Sequence, residues 1–297
     1  MHSRLGLSYF TKNLNMKVHP IIAGRFKLDG GAMHGVVPKS LWSKINPADE
    51  NNLCSWAMRS LLIEDGDRLI LIDTGMGDKQ SAKFFGHYHL HGNDDLDSEL
   101  KRLGYHRDEI TDVFLTHLHF DHCGGAIVYD NSKEHLVPAF KNATYWSNEK
   151  HWEWATHPNP REKASFLSEN ILPIQESGQL KWCGAGNEPF DHWEIFEANG
   201  HTEAQMIPII TYKGEKFAFC ADLLPSVAHI PLAWTMAYDV RPLESMKERE
   251  IFLNRMVDQE VYLFFEHDYK NETANLKRTE KGVRLNETFN FSELFGN

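Results

Sequence analysis

No run in the chain approaches the roughly 20 consecutive apolar residues that a membrane-spanning helix requires, so an integral membrane protein is excluded. Cysteine is scarce: four in 297 residues (Cys54, Cys123, Cys183 and Cys220), with no CxxC pair. That leaves no disulfide framework and no thiolate zinc knuckle; reduced, buried thiols are expected. Cationic residues are outnumbered, 31 Lys and Arg against 42 Asp and Glu, for a net charge of −11. No Lys/Arg cluster offsets that balance. Such a surface repels phosphate backbones, so nucleic acid is not expected as a partner. Low-complexity segments, short repeats and Pro/Ser-rich linkers are missing too, and residues 1–297 are expected to form one domain. The opening stretch, MHSRLGLSYFTKNLNMK, lacks the apolar core and small-residue cleavage site of a signal peptide. Residues 1–15 read as a loosely held extension, and the expected location is cytoplasmic.

What the chain does have is an ordinary globular composition, 41% hydrophobic and 25% charged, with an excess of histidine at 17 residues. Histidine is the commonest metal ligand, so placement matters. Strand-like stretches at 17–25, 55–64 and 68–73 come first, the last two joined across Asp65-Gly66, a hairpin signal. The glycine-rich segment 28–42 reads as a loop. A helix is expected over 95–103, where Leu96, Leu100 and Leu103 share a face and Gly104 stops it. Strands at 111–116 and 143–146, a helix at 148–155, and strands at 192–197, 206–212, 216–220 and 261–265 follow. Pro242 opens a long helix whose apolar face carries Met246, Leu253, Met256 and Val257. Strand hairpins alternating with helices in both halves predict an α/β layered fold. His87, His89 and His91 read as a solvated loop or lid. Trp146, Trp152 and Trp154 read as packing, any exposed part of them suiting a homodimer contact.

The chemistry-bearing stretch is THLHFDHCGG, at the end of the 111–116 strand. Alternation along a strand lets His117 and His119 point the same way. Asp121 and His122 lie past the turn, and Gly124-Gly125 permits a tight bend behind them. Neutral imidazoles with a carboxylate suit a borderline ion such as zinc. His201, Asp222 and His267 also follow strands. Together these residues supply the seven groups that a two-metal site needs.

THLHFDHCGG resembles the HxHxDH signature of the metallo-β-lactamase superfamily, and LIDTGMG at 71–77 is similar to that family's first motif, with Asp73 at its aspartate. His201, Asp222 and His267 fall, in order, where the later motifs lie, and the likeness spans about residues 17–269. The resemblance implies an αββα four-layer sandwich with its site at one edge. It implies two Zn²⁺ per chain, the first on His117, His119 and His201 and the second on Asp121, His122 and His267, with Asp222 bridging both. Asp73 is expected to hydrogen-bond the ligand loop from outside the ligand set; following a strand, it also suits a helix N-cap.

KLDGGAMHGVVPKSLWSK at 27–44 resembles the access segment of the quorum-quenching N-acyl homoserine lactone lactonases, and Gly200-His201-Thr202 and Asp222-Leu223-Leu224-Pro225 are similar to that branch as well. The resemblance implies a hydrolase that opens such lactones by attack of a metal-bridging hydroxide, with Asp121 and Asp222 as its catalytic carboxylates. Organophosphate, aryl ester and phosphodiester hydrolysis on the same metals, or metal binding without catalysis, are the alternatives. Met33, Val37 and Trp42 are candidates for an apolar wall around an acyl chain. Known lactonases of this branch carry a tyrosine where Pro225 stands here, and Tyr238 and His229 are the candidates to replace its hydroxyl.

Overall fold

The structure, a computed structural model, describes residues 16–296; the expected extension at 1–15 lies outside them. The first half supplies β1 (Lys17–Asp29), β2 (Leu53–Asp65), β3 (Arg68–Ile72) and β4 (Asp112–Phe114), a small separate hairpin of β5 (Ile127–Tyr129) and β6 (Leu136–Pro138), then β7 (Thr144–Ser147) and β8 (Leu180–Trp182). The second half supplies β9 (Trp193–Ala198), β10 (Gln205–Tyr212), β11 (Glu215–Phe219), β12 (Tyr262–Phe264), β13 (Thr273–Thr279) and β14 (Gly282–Phe289). These form two mixed sheets, ordered β1-β2-β3-β4-β7-β8 and β14-β13-β12-β11-β10-β9.

Alternation along the strands builds the layers. Leu61, Ile63, Ile70, Ile72 and Phe114 of the first sheet meet Met206, Ile210, Phe217, Phe219 and Phe264 of the second in one buried cluster. The intervening residues point outward. Leu62, Leu69, Leu71 and Val113 pack with residues of the helices Leu96–Arg102, Glu149–Thr156 and Ser168–Glu176. Ile207, Ile209, Ala218 and Leu263 pack with Phe252, Leu253 and Met256 of the Pro242–Asp258 helix. A period of two on both faces of both sheets gives helix, sheet, sheet, helix, the αββα sandwich expected. Among the described residues no helix is long and apolar enough to cross a membrane, and all four cysteines are free and buried.

Several local expectations are corrected. Segment 28–42 is not a loop: β1 runs on to Asp29, and two short helices follow, Gly30–His34, capped by the Asp29 side chain, and Lys39–Trp42. The 87–91 stretch is only partly a loop. His87 lies in the last turn of the helix Ala82–Tyr88, which puts Phe84 and Tyr88 against Phe120, while His87 and His89 stay exposed. The buried face of Pro242–Asp258 includes Ser245, Glu248 and Arg249 beside Phe252, Leu253 and Met256, so it is more polar than the apolar spacing implied. The three tryptophans do pack, as expected, but in two places: Trp146 between the sheets, and Trp152 and Trp154 outside the first sheet.

Candidate metal centre

Two sequence segments are zipped together to build the floor of the site. Beyond β3, Asp73 takes a left-handed backbone (φ 54°) and its N–H donates to Phe114 O at the end of β4. Thr74 donates from both N and Oγ1 to His122 O, at 2.7 and 2.9 Å. The two glycines after Cys123 let the backbones touch. A Cβ on Gly124 would lie 2.2 Å from Met76 O, and one on Gly125 2.2 Å from Thr74 O. The short helix Phe120–Cys123 therefore projects Asp121 and His122 beside His117 and His119. Asp73 is not a helix cap. Its Oδ1 accepts from Thr116 N (2.8 Å), while its Oδ2 accepts from Thr116 Oγ1 (2.6 Å) and lies 3.1 Å from His122 Nδ1. His151 ties this turn to the opposite side: Leu118 N donates to its Nε2 (2.8 Å), and its Nδ1 donates to Glu203 O (2.6 Å).

The other three positions come from the second sheet. His201 follows β9, where Gly200 abuts the Pro242–Asp258 helix and Glu248 accepts from Asn199 N and Gly200 N at 2.7 and 2.9 Å. Asp222 follows β11, next to Ala221 at a strained φ of 42°. His267 follows β12; its N–H reaches Pro225 O (3.2 Å), so Pro225 serves this turn and does not line the cavity.

All seven positions converge in two groups, His117, His119, His201 and Asp222, and Asp121, His122 and His267. His119 Nδ1 is 3.1 Å from both His117 Nε2 and His201 Nε2. His122 Nε2 is 3.1 Å from His267 Nε2. Asp222 reaches both groups, with Oδ2 3.2 Å from His201 Nε2 and Oδ1 3.0 Å from His267 Nε2. Nitrogens bonded at roughly 2.0–2.1 Å to one tetrahedral ion stand about 3.3 Å apart, so this spacing fits two cations.

Four of the five far ring nitrogens are hydrogen-bonded elsewhere, all but that of His119, which fixes orientation and turns a lone pair inward. His117 Nδ1 meets Thr116 Oγ1 (3.1 Å), His201 Nδ1 meets Asp239 Oδ1 (3.1 Å), and His267 Nδ1 donates to Ala57 O (2.7 Å). His119 Nε2 lies 3.5 Å from Glu162 Oε1, and His122 Nδ1 lies 3.0 Å from Glu266 Oε2. The field differs across the site: burial and the neighbouring imidazoles push His117 well below the usual histidine range and burial pushes His119 down, whereas the carboxylates around His267 favour its charged form. Burial pushes the His267 imidazole down, but Asp222 beside it lifts it to about 9. Burial raises the Asp222 carboxyl, yet the His267, His201 and His122 imidazoles hold it well below the usual carboxylate range.

A cavity of about 340 Å³ opens over these groups, lined by His119, Asp121, His201, Asp222 and His267 and by Leu28, Met33, Phe120 and Met236. Met33 and Tyr238 line it as the sequence suggested; Val37, Trp42 and His229 do not. Trp42 fills the space over Gly30, where a Cβ would meet its ring at 2.3 Å, and Val37 is buried in the same cluster. His229 turns inward, donating from Nε2 to Met33 O at 2.9 Å, so it backs the wall. Sequence reasoning missed Tyr88, Arg161 and Glu162, which line the cavity from helix Ala82–Tyr88 and from the 157–167 loop. It also missed Glu266 and Asp239 behind the imidazoles. Only Glu266 carried a signal, its adjacency to His267.

The profile of the metallo-beta-lactamase superfamily matches residues 59–267. N-acyl homoserine lactonase AiiA of Bacillus thuringiensis subsp. kurstaki is 30% identical over 167 residues, 53% of this chain and 56% of that protein. An N-acyl homoserine lactonase of Bacillus cereus is 29% identical over 126 residues, 39% of this chain and 46% of that protein. The match thus spans about half the length of these curated relatives. Among solved structures, a probable metal-dependent hydrolase from Staphylococcus aureus shares 27% identity at a TM-score of 0.83, covering 93% of this chain and 96% of that one. The dizinc quorum-quenching lactonase AidC, solved with a homoserine product, shares the fold at 20% identity and a TM-score of 0.76, covering 93% of this chain and 96% of that one.

Proposed function

The chain belongs to the metallo-beta-lactamase superfamily, and on that premise we propose that it is a binuclear-zinc hydrolase that opens N-acyl homoserine lactones or closely related lactones. The observation that carries this reading is the cavity. Five of the seven metal-type residues face the same space as an apolar wall of Leu28, Met33, Phe120 and Met236, which suits an ester held against an aliphatic tail. The names of the matched relatives support the substrate class.

His117, His119 and His201 would hold one ion and Asp121, His122 and His267 the other, with Asp222 between them. When bound, such a pair supplies an activated water nucleophile and Lewis-acid polarisation of the ester carbonyl. The chain's own groups do the rest. Asp121 lines the cavity and would take the proton given up by the attacking water on a carboxylate oxygen and pass it to the alkoxide as the ring C–O bond breaks. Tyr88 and Tyr238 bring two phenols to the same cavity, and burial pushes the Tyr88 phenol up to about 12, so it remains a neutral donor. They take the place of the hydroxyl that Pro225 cannot supply. A double Tyr88→Phe, Tyr238→Phe variant should lose on the order of 10²-fold in kcat; unchanged turnover would remove the phenols from the mechanism. The four buried free thiols suit the reducing cytoplasm, where we place the enzyme.

The experiment that tests the function compares kcat/KM of the zinc-loaded protein for acyl homoserine lactones, aryl esters and paraoxon-type triesters. Lactones should lead. A lactone value tenfold or more below the triester value would overturn the lactonase reading and leave a hydrolase of the alternative class.

A further inference from the structure

We propose that Asp239, held by Arg249, is a positioning residue that sets the orientation of His201 and the placement of the cavity wall at 236–238 through one carboxylate. The proposal rests on the reading above, in which His201 binds metal.

The two oxygens of Asp239 face different elements. Oδ1 lies 3.1 Å from His201 Nδ1. Oδ2 accepts from Met236 N and from the Arg249 guanidinium, each at 3.2 Å. Backbone bonds on the C-terminal side repeat the connection: Val240 N donates to His201 O (3.2 Å) and Arg241 N to Gly200 O (2.8 Å). Met236, Ala237 and Tyr238, which line the cavity, therefore run directly into the residue that holds His201.

Arg249 closes the arrangement from behind. It is fully buried on the Pro242–Asp258 helix, in the middle of what the apolar spacing reads as a hydrophobic face. Its Nε donates to Leu223 O (2.7 Å), next to Asp222, and its Nη1 donates to Trp234 O (2.9 Å), in the wall loop. One guanidinium thus spans the Asp222 turn, the wall loop and the carboxylate behind His201. A buried charge survives only when paired and hydrogen-bonded, and Asp239 is the only carboxylate in ion-pair contact with Arg249 among the described residues. The negative oxygen on Nδ1 keeps that nitrogen the donor and leaves the Nε2 lone pair toward His119 Nδ1 and Asp222 Oδ2. A residue that only anchored the helix would have no need to present its second oxygen to an imidazole.

Asp239→Asn keeps the shape and removes the charge. Chelator competition on the purified protein should show one of its two ions bound 10–100-fold more weakly and the other nearly unchanged. KM for the best lactone should rise as the wall loosens. Arg249→Met should shift the same ion in the same direction, Arg249→Lys should restore much of the loss, and the double variant should lose less than the sum of the singles. Should Arg249→Met fail to fold, Asp239→Asn alone decides. If both ions keep wild-type affinity in Asp239→Asn while the melting temperature falls, the pair is merely structural and the proposal is overturned. The affinity arm needs no turnover, so failure of the lactonase reading would leave this test standing.

Discussion

His34 is fully buried with neither ring nitrogen bonded to anything. It lies stacked between Trp42 (5.3 Å) and His229 (5.1 Å), with Trp234 edge-on at 5.9 Å. Burial pushes its imidazole down to about 4. The unfolded chain binds that proton from near pH 6.5 downward and the folded chain only below about 4, so unfolding takes up a proton between those values. Stability from this group is complete above pH 6.5 and lost as the pH falls, by about 2–3 kcal/mol near pH 4.5. His34→Phe keeps the stack and removes the titrating nitrogens. With both proteins stripped of metal, denaturant midpoints at pH 7 and pH 4.5 should show a shallower acid loss in the variant. Parallel losses would mean that His34 is already protonated in the fold, or hydrated.

At the scale of elements, the ligand platform is made by backbone contact, and glycine is its limiting residue. The Cβ of Gly124→Ala would press on the carbonyl of Met76, which cannot move without pulling 71–77 away from β4. We expect a loss of about 3 kcal/mol together with weaker metal binding, read by thermal melts and metal analysis. Gly86→Ala, in helix Ala82–Tyr88 with nothing within 4 Å of the new methyl, should be neutral or stabilising. Equal effects would show that crowding at 124 is not what fixes the platform. The same contrast explains what the sequence revealed. The seven metal-type positions stand in one compact motif and at three strand ends, and β2, β3, β10 and β11 show clear strand patterning because each is buried on both faces of a sheet. Asp239, Arg249, Glu162 and Tyr88 reach the site from separate elements with no spacing to mark them. The β13–β14 hairpin drew no expectation because it is largely exposed and its polar residues break the alternation. Segment 28–42 misled because its glycines serve close packing, Gly30 against Trp42 and Gly35 against Thr235 O.

Across the whole molecule, the first half contributes His117, His119, Asp121 and His122 and the second contributes His201, Asp222 and His267, and each group in the site draws on both. Two bound ions would therefore cross-link strand ends of the two sheets, and metal binding should appear as stability of the fold. A ligand that binds only the folded state adds RT ln(1 + [L]/Kd), about 4 kcal/mol at a thousandfold excess over Kd. We expect two ions per chain by metal analysis, and a fall of roughly 10 °C or more in melting temperature on chelation, reversed by zinc. We also propose that residues 16–296 melt as one unit, because the inter-sheet cluster joins both halves. Asp222→Asn, which keeps the shape but removes the charge shared by the two groups, should narrow the gap between loaded and stripped protein and cost at least about 100-fold in turnover. Two separate transitions, only one of them moved by chelation, would instead locate the metals within one half and break the link between the sheets that this geometry implies.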